Sequence, residues 1–405
     1  MPILAVLAIV AYLPTLWQPL LEDDYPHLAI AQHLGDPANW RELAAHPFRF
    51  RATAEWFLFA GYNLFGIHAA GYYALTILLH VIGTWLVYAM GAWPLLGYEL
   101  SAWAAAFFAI AEGHQEAVMW LSACNELWQF LFVAGAFVCW LRFLYRKRHR
   151  TWWYAGGLVC FAFALLSKES APAFVVLLAL PLVFDFAAPR LSLLPYAAVS
   201  VWGLWWLYSA RTSSFRFSDG SFSVHAPFWL ILPSNFGRLL WIWGVLALVW
   251  AWQQNRKAVM AGLLWAAIAL VPYSFLSYSS RIPSRQTYLA SAGVAWIVAA
   301  GIQRIAATHR KLLPYICAAL LLHNVGYLWI KKRRQYLERA EPTQELIALA
   351  RRTSGPIYVQ CFPRPRPIAE EAVHLAAGKP VSDVIWDREA AIARDATVAF
   401  CYREK

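Results

Sequence analysis

Long apolar runs separated by short polar segments recur along the first 330 positions of the chain. A helix needs about 20 mostly apolar residues to cross the hydrocarbon of a bilayer. About eleven runs reach or approach that length, at approximately 3–20, 69–90, 98–112, 126–145, 152–167, 171–187, 191–209, 236–253, 258–278, 286–303 and 312–330. The pattern predicts an all-α polytopic membrane protein of about 11 transmembrane helices. Interfacial helices are expected in the first external loop, residues 22–68. From position 335 to 405 the composition changes to that of a small soluble α/β domain, so the chain divides into 1–334 and 335–405.

The first external loop carries Asp36-Pro37-Ala38-Asn39, a turn and helix-start signal. Tyr25 to Leu34 and Trp40 to Ala45 read as short helices lying in the interface. Trp56, Phe57, Phe59, Tyr62 and Phe65 suit the headgroup level. The segment 211–235 is polar and aromatic, and reads equally as a solvated connector or a lid. In the C-terminal domain, helices are predicted over Pro342–Arg352 and near Ile368–Ala376. Strands are predicted over Ile357–Cys361 and Thr397–Tyr402.

Composition excludes a soluble enzyme. The chain is 60% hydrophobic and 14% charged, with 23 Trp, whereas soluble domains carry roughly 25% charged residues. The net charge of +11 sits in short basic clusters between apolar runs. That is the positive-inside pattern, so no nucleic-acid partner is expected. With Asp23 placed outside, alternation puts Arg146 to Arg150, Arg190, Arg256-Lys257, Arg304 and Arg310-Lys311 inside. Only Lys331 to Arg334 falls on the opposite side. Met1 to Leu20 lacks a basic start and a small-residue cleavage site, and reads as a retained helix. Cys124, Cys139, Cys160 and Cys317 read as small hydrophobes. Cys361 and Cys401, on two predicted strands of an extracytoplasmic domain, are candidates for a disulfide.

Charges at the ends of membrane helices are functional candidates. Four polar islands fall on one side: Glu22-Asp23-Asp24-Tyr25, then His114-Gln115-Glu116 with Asn125 and Glu126, then Ser167-Lys168-Glu169-Ser170, then Arg281 to Arg285 with Tyr288. Together they imply one polar cavity open to that side. A divalent cation at Asp23, Asp24 and Glu116 fits the ligand types, although no spacing demands one. No other cofactor is indicated. His80 and His323, inside apolar spans, read as packing or interhelical hydrogen-bonding residues.

The order of these islands resembles the C-type superfamily of integral-membrane glycosyltransferases, in particular the protein O-mannosyltransferase-like branch and its bacterial relatives. Asp23-Asp24 after the first helix matches the family's acidic pair. Phe65-Gly66, Gly71-Tyr72-Tyr73 and Leu79-His80 resemble its stretch from "FG" to "LLH". Phe108-Ala109-Ile110, His114 and Glu116-Ala117-Val118 resemble "FALHPVHVEAV", with Ala111 and Glu112 replacing its first His and its Pro. Leu165 to Glu169 resembles "LLSKE", and Arg285, Tyr288 and Leu289 resemble "RYLY".

The resemblance implies transfer of a sugar from a polyprenyl-phosphate donor to a hydroxyl acceptor, with inversion. The acceptor class (protein, glycan or lipid) and the sugar stay open. The implied setting is the bacterial inner membrane, with the site facing outside and membrane lipids as neighbours. A neutral alcohol is a poor nucleophile, so the site needs a base. Asp23 is the first candidate and Asp24 the second. The leaving phosphate needs fixed cations, for which Lys168 and Arg285 are candidates, with Arg281 in reserve. His114, Glu116, Tyr25 and Tyr288 are candidates to bind the sugar or acceptor or to orient the base, and Glu169 to hold Lys168. A transporter or flippase of lipid-linked sugars would place its charges nearer the bilayer midplane. A non-catalytic scaffold of the same fold is the other alternative.

Overall fold

Leu, Ala, Val and Trp fill the membrane part and leave the backbone no polar partner but itself, so the chain coils into helices. The computed structural model describes residues 1–40, 51–185, 190–209, 222–277, 281–396 and 398–403. In chain order the helices are α1 (Pro2–Tyr12), α2 (Asp24–His33), α3 (Ala52–Phe65), α4 (Ala69–Ala89), α5 (Gly97–Ile110), α6 (Gln115–Met119), α7 (Cys124–Tyr145), α8 (Arg150–Leu165) and α9 (Leu180–Asp185). They continue with α10 (Leu194–Ser209), α11 (Phe228–Ala251), α12 (Arg256–Leu270), α13 (Tyr288–Thr308), α14 (Leu313–Gly326) and α15 (Arg333–Arg352).

Among the described residues, seven helical stretches are long and apolar enough to cross a membrane, including Ala69–Ala92, Leu121–Tyr145 and Ser284–Thr308. The other four expected spans also form helices, but shorter ones. They are α1 with its 3-10 extension Leu13–Trp17, then α5, α8, and the 3-10 stretch Ala171–Ala179 leading into α9. The chain is an integral membrane protein. Its central helix is α13, buried on nearly all sides. Gly262 on α12 faces Gly293 on α13, where a Cβ would meet the Gly293 carbonyl oxygen at 2.5 Å. Small residues let the two backbones touch, which replaces the hydrophobic drive that lipid removes.

The first loop forms α2, as expected, and its aromatic stretch is the helix α3. The helix expected over Trp40–Ala45 lies outside the described residues apart from Trp40. So does residues 211–221 of the 211–235 segment, whose end is already helical because α11 starts at Phe228.

Three parallel strands, β1 (Ile357–Cys361), β2 (Val384–Ile385) and β3 (Val398–Cys401), form a sheet of order β2-β1-β3. Ile357 pairs with both Val384 and Val398. Helices α16 (Arg366–Ala377) and α17 (Arg388–Ala393) complete this unit. Cys361 and Cys401 are joined by a disulfide between neighbouring strand ends. No linker separates this unit from the membrane part: α14 runs through a π turn at Tyr327–Lys332 directly into α15, across position 334. Ile347 and Ala372 pack with Tyr25 and Leu28 of α2, so the C-terminal unit sits on the first loop.

Candidate active site

The first island is built by a sharp change of direction before α2. Glu22 has φ +27°, in the left-handed region that costs a residue with a side chain about 1–3 kcal/mol. Its carboxylate is gripped from two directions by the C-terminal unit. Oε2 accepts from Arg339 Nη2 at 2.5 Å, and Oε1 lies 2.7 Å from Arg364 Nε. Asp23 follows as the residue before α2. It is exposed, and among the described residues no hydrogen bond or ion pair reaches its carboxylate.

Asp24 is fully buried and pinned. Its Oδ2 accepts from the Leu21 amide at 2.8 Å, and its Oδ1 accepts from the Ser122 amide at 2.8 Å and hydroxyl at 2.6 Å. Burial pushes its pKa up to about 6, against those three bonds, which favour the carboxylate. Tyr25 is buried, and its hydroxyl accepts from Gln344 Nε2 at 2.9 Å. His27, one turn on, lies 3.5 Å from Glu55. Burial disfavours its imidazolium, but the Glu55 hydrogen bond and charge outweigh this and hold its pKa above the ordinary value.

The second and fourth islands meet. Glu116 Oε2 accepts from the Arg285 amide at 3.0 Å and lies 3.8 Å from the Arg285 guanidinium. Arg285 and Arg339 both lie over the Trp120 ring, at 4.9 and 4.6 Å from its centroid. Gln115 donates to Ser284 Oγ at 2.6 Å and accepts from the Tyr336 hydroxyl, tying α6, the entry to α13 and α15 together. Arg281 is exposed at the same end, within electrostatic reach of Arg238.

The third island is Lys168, buried between α7 and the Ala171–Ala179 turns. Its Nζ bonds Glu126 Oε1 and lies 4.8 Å from the centre of the Tyr273 ring. Tyr273 donates to Gln129 Oε1 at 3.0 Å. Burial lowers the Lys168 pKa to about 8, and the Glu126 and Glu169 charges oppose that fall. The Glu169 charge favours the Lys168 ammonium, and its carboxylate also has a second cation. It pairs with Arg51 at 2.8 Å, because the start of α3 is bonded to this loop through Thr53, whose amide donates to Leu166 O at 3.2 Å. Lys168, Glu169, Ser170, Tyr273 and Gln286 border a cleft of about 290 Å³, otherwise walled by apolar residues such as Pro172, Leu204, Val271 and Phe275.

The fold matches solved structures. ArnT from Cupriavidus metallidurans bound to undecaprenyl phosphate superposes with a TM-score of 0.59 at 15% identity, over 95% of this chain and 89% of that one. The Archaeoglobus fulgidus oligosaccharyltransferase solved with zinc and sulfate gives 0.54 at 11% identity, over 93% of this chain and 62% of that one. The A. fulgidus oligosaccharyltransferase AglB, in complex with an inhibitory peptide and a dolichol-phosphate, gives 0.51 at 11% identity, over 93% of this chain and 64% of that one. The chain has the fold of the C-type membrane glycosyltransferases. No protein-family model matches the chain, and no curated protein matches it.

Within this C-type fold, two expected site residues fall elsewhere. His114 and Tyr288 lie in the core, not in the cavity. Their rings pack at 4.5 Å, and Phe108 is 4.4 Å from His114. His114 Nε2 bonds Ser291 Oγ at 2.6 Å, and the Tyr288 hydroxyl bonds His80 Nδ1 at 2.6 Å. The physical reason is that α13 enters the bundle directly after Thr287 and takes both rings into its contact with α5. Nor are Asp23, Asp24 and Glu116 gathered as a metal site. Among the described residues no three His, Cys, Asp or Glu side chains could hold an ion together, and both Asp24 oxygens already accept hydrogen bonds.

Sequence reasoning missed Arg339 and Arg364, which looked like ordinary charges of a soluble tail. It also missed Arg51 as the partner of Glu169 and Ser122 as the clamp on Asp24. Glu126 was visible beside the second island, but its pairing with Lys168 was not.

Proposed function

We propose that the chain transfers a sugar from a polyprenyl-phosphate donor to a hydroxyl acceptor, with inversion, on the extracytoplasmic face of a bacterial inner membrane. The observation that carries this reading is the contrast between two adjacent acids. Asp24 is locked by three hydrogen bonds, while among the described residues no hydrogen bond or ion pair reaches the exposed carboxylate of Asp23, which stands in the chain between Asp24 and the Glu22 held by Arg339. The solved ArnT binds undecaprenyl phosphate and AglB a dolichol-phosphate, which supports a lipid-phosphate donor here.

Asp23 takes the acceptor hydroxyl proton as the oxygen attacks the anomeric carbon. Attack from the face opposite the phosphate inverts that carbon. The leaving phosphate gathers charge, which Arg285 and Lys168 meet, with Arg281 behind them. Arg285 and Lys168 are each already near a carboxylate, but a guanidinium has five donors and an ammonium three, so donors remain for phosphate oxygens. The apolar cleft beside Lys168 takes the first isoprene units of the donor, which places the phosphate at its charged rim. Asp24 fixes the start of α2 and so the direction of Asp23. The Cys361–Cys401 disulfide supports an oxidising, extracytoplasmic location for the C-terminal unit. Through Arg339 and Arg364 the catalytic loop shares that side.

The test is purified protein with radiolabelled polyprenyl-phosphate sugars and a panel of hydroxyl acceptors. Transfer that needs Asp23 supports the reading. A protein that binds polyprenyl phosphate but transfers no label to any acceptor class would favour the scaffold, and label moving between leaflets without transfer would favour the flippase.

A further inference from the structure

A second apolar groove lies between α11, α13 and α14, on other helices than the Lys168 cleft. It holds about 280 Å³ and is lined by Trp243, Ala247, Trp250, Ile302, Ile316 and Leu320 among others. Its site-side end is polar. Trp243 Nε1 donates to His323 Nδ1 at 3.1 Å. His323 stacks on Tyr327 with ring centres 6.4 Å apart. The Lys331 and Lys332 ammoniums lie 5.2 and 5.5 Å from the Tyr327 ring. A ladder of rings thus leads from the groove to two lysines, and neither lysine has an ion-pair partner within bonding distance among the described residues.

Two of the three helices that wall the groove, α11 and α14, are irregular near its site-side end. Trp241 breaks α11 with φ +48° and ψ −169°, and α14 passes through the π turn Tyr327–Lys332. Left-handed backbone on a tryptophan is strained, and π turns inside helices gather at functional sites. The lysine end also adjoins the candidate active site. Lys332 is within electrostatic reach of Glu112, Glu116 and Arg339. Two cations above an apolar slot complement a molecule with an anionic head and a hydrocarbon chain.

We propose that this groove, with Lys331 and Lys332 at its head, binds the acceptor, and that the acceptor is an anionic membrane lipid with a headgroup hydroxyl. This rests on the transferase reading above and adds the acceptor class to it. The donor keeps the Lys168 cleft, and the two lipids meet at the Asp23–Glu116 end. In the reaction the donor C1–O bond to phosphate breaks, the C1–O bond to the headgroup forms, Asp23 receives the hydroxyl proton, and polyprenyl phosphate leaves with the bonding pair.

The experiment uses the full chain in detergent, with phosphatidylglycerol and undecaprenyl phosphate as probes, read by native mass spectrometry. The two probes are expected to bind together. Lys331→Gln with Lys332→Gln lowers phosphatidylglycerol retention about tenfold, a change of about 1.4 kcal/mol, and leaves undecaprenyl phosphate retention unchanged. Ile316→Trp, which fills the groove, does the same, and Lys331→Arg with Lys332→Arg restores retention. Unchanged phosphatidylglycerol retention in the glutamine pair, or one-for-one displacement by undecaprenyl phosphate, overturns the second site. Retained undecaprenyl phosphate reports that each variant is folded. In the transfer assay, label in a new mild-acid-stable lipid supports the acceptor class, and label only in protein or water-soluble glycan overturns it. Absence of all transfer with both lipids bound counts against the transferase reading alone.

Discussion

Glu22 and Arg339 lie 317 positions apart in the chain and meet at 2.5 Å, joining the loop that carries the acidic pair to the helix that leaves the membrane. Arg364, from the loop after β1, holds the other oxygen of the same carboxylate. The strained backbone at Glu22 is therefore held by two guanidiniums of the C-terminal unit. Arg339→Gln is expected to cost about 1.5–3 kcal/mol, the range for hydrogen bonds to a charged group. It should also speed amide exchange across α2. Unchanged exchange in α2 would show that Arg339 does not hold the loop.

Asp23→Asn should lower transfer by about 10²–10⁴-fold, the usual contribution of a positioned base, with the melting temperature unchanged because the side chain is exposed and no described residue bonds it. Asp24→Asn should lower both stability and rate, since an amide cannot accept as a carboxylate does from Ser122 and Leu21. Full activity in Asp23→Asn, together with a dead but folded Asp24→Asn, would move the base by one residue.

The pKa of Asp24, near 6, gives a pH dependence with a defined sign. As pH rises through about 6, Asp24 loses its proton and becomes the full acceptor that its three donors require, so the transfer rate should rise. Stability moves the other way. The folded-state pKa lies above the ordinary value of about 4, so between those pH values the native state binds the extra proton and loses stability as pH rises. A rate profile for Asp24→Asn that keeps the limb near pH 6 would assign it to another group.

Lys168 and Glu126 form a buried pair. Glu126→Gln strands the ammonium and should cost about 3–5 kcal/mol. The double replacement Lys168→Met, Glu126→Leu should recover most of that stability, read by thermal unfolding. If Lys168 meets the donor phosphate, the double variant stays inactive while folded. Full transfer by it would reduce Lys168 to a packing role.

The disulfide closes a loop of 40 residues. The chain-entropy estimate for that length is about 4 kcal/mol. Cys401→Ser should therefore make the β1–β3 unit sensitive to limited proteolysis. Mass mapping without reductant should find the 361–401 cross-link in protein taken from the membrane.

The sequence by itself determined the membrane class and the positions of the apolar helices. These follow from local chemistry: apolar runs coil in lipid, and charges collect where those runs end. It also placed two of the C-terminal strands and the cysteines on them. Tertiary structure alone decided the partners. Periodicity does not report which helix end meets which, so the pairing of Glu169 with Arg51, of Lys168 with Glu126 and of Glu22 with Arg339 was not legible. The fates of His114 and Tyr288 were hidden for the same reason. Both stand within three residues of a charge in the chain, but the depth at which α13 enters the bundle puts their rings into the core. Two adjacent aspartates look alike in sequence, and only the folded loop separates them, burying Asp24 on Ser122 and leaving Asp23 turned to solvent.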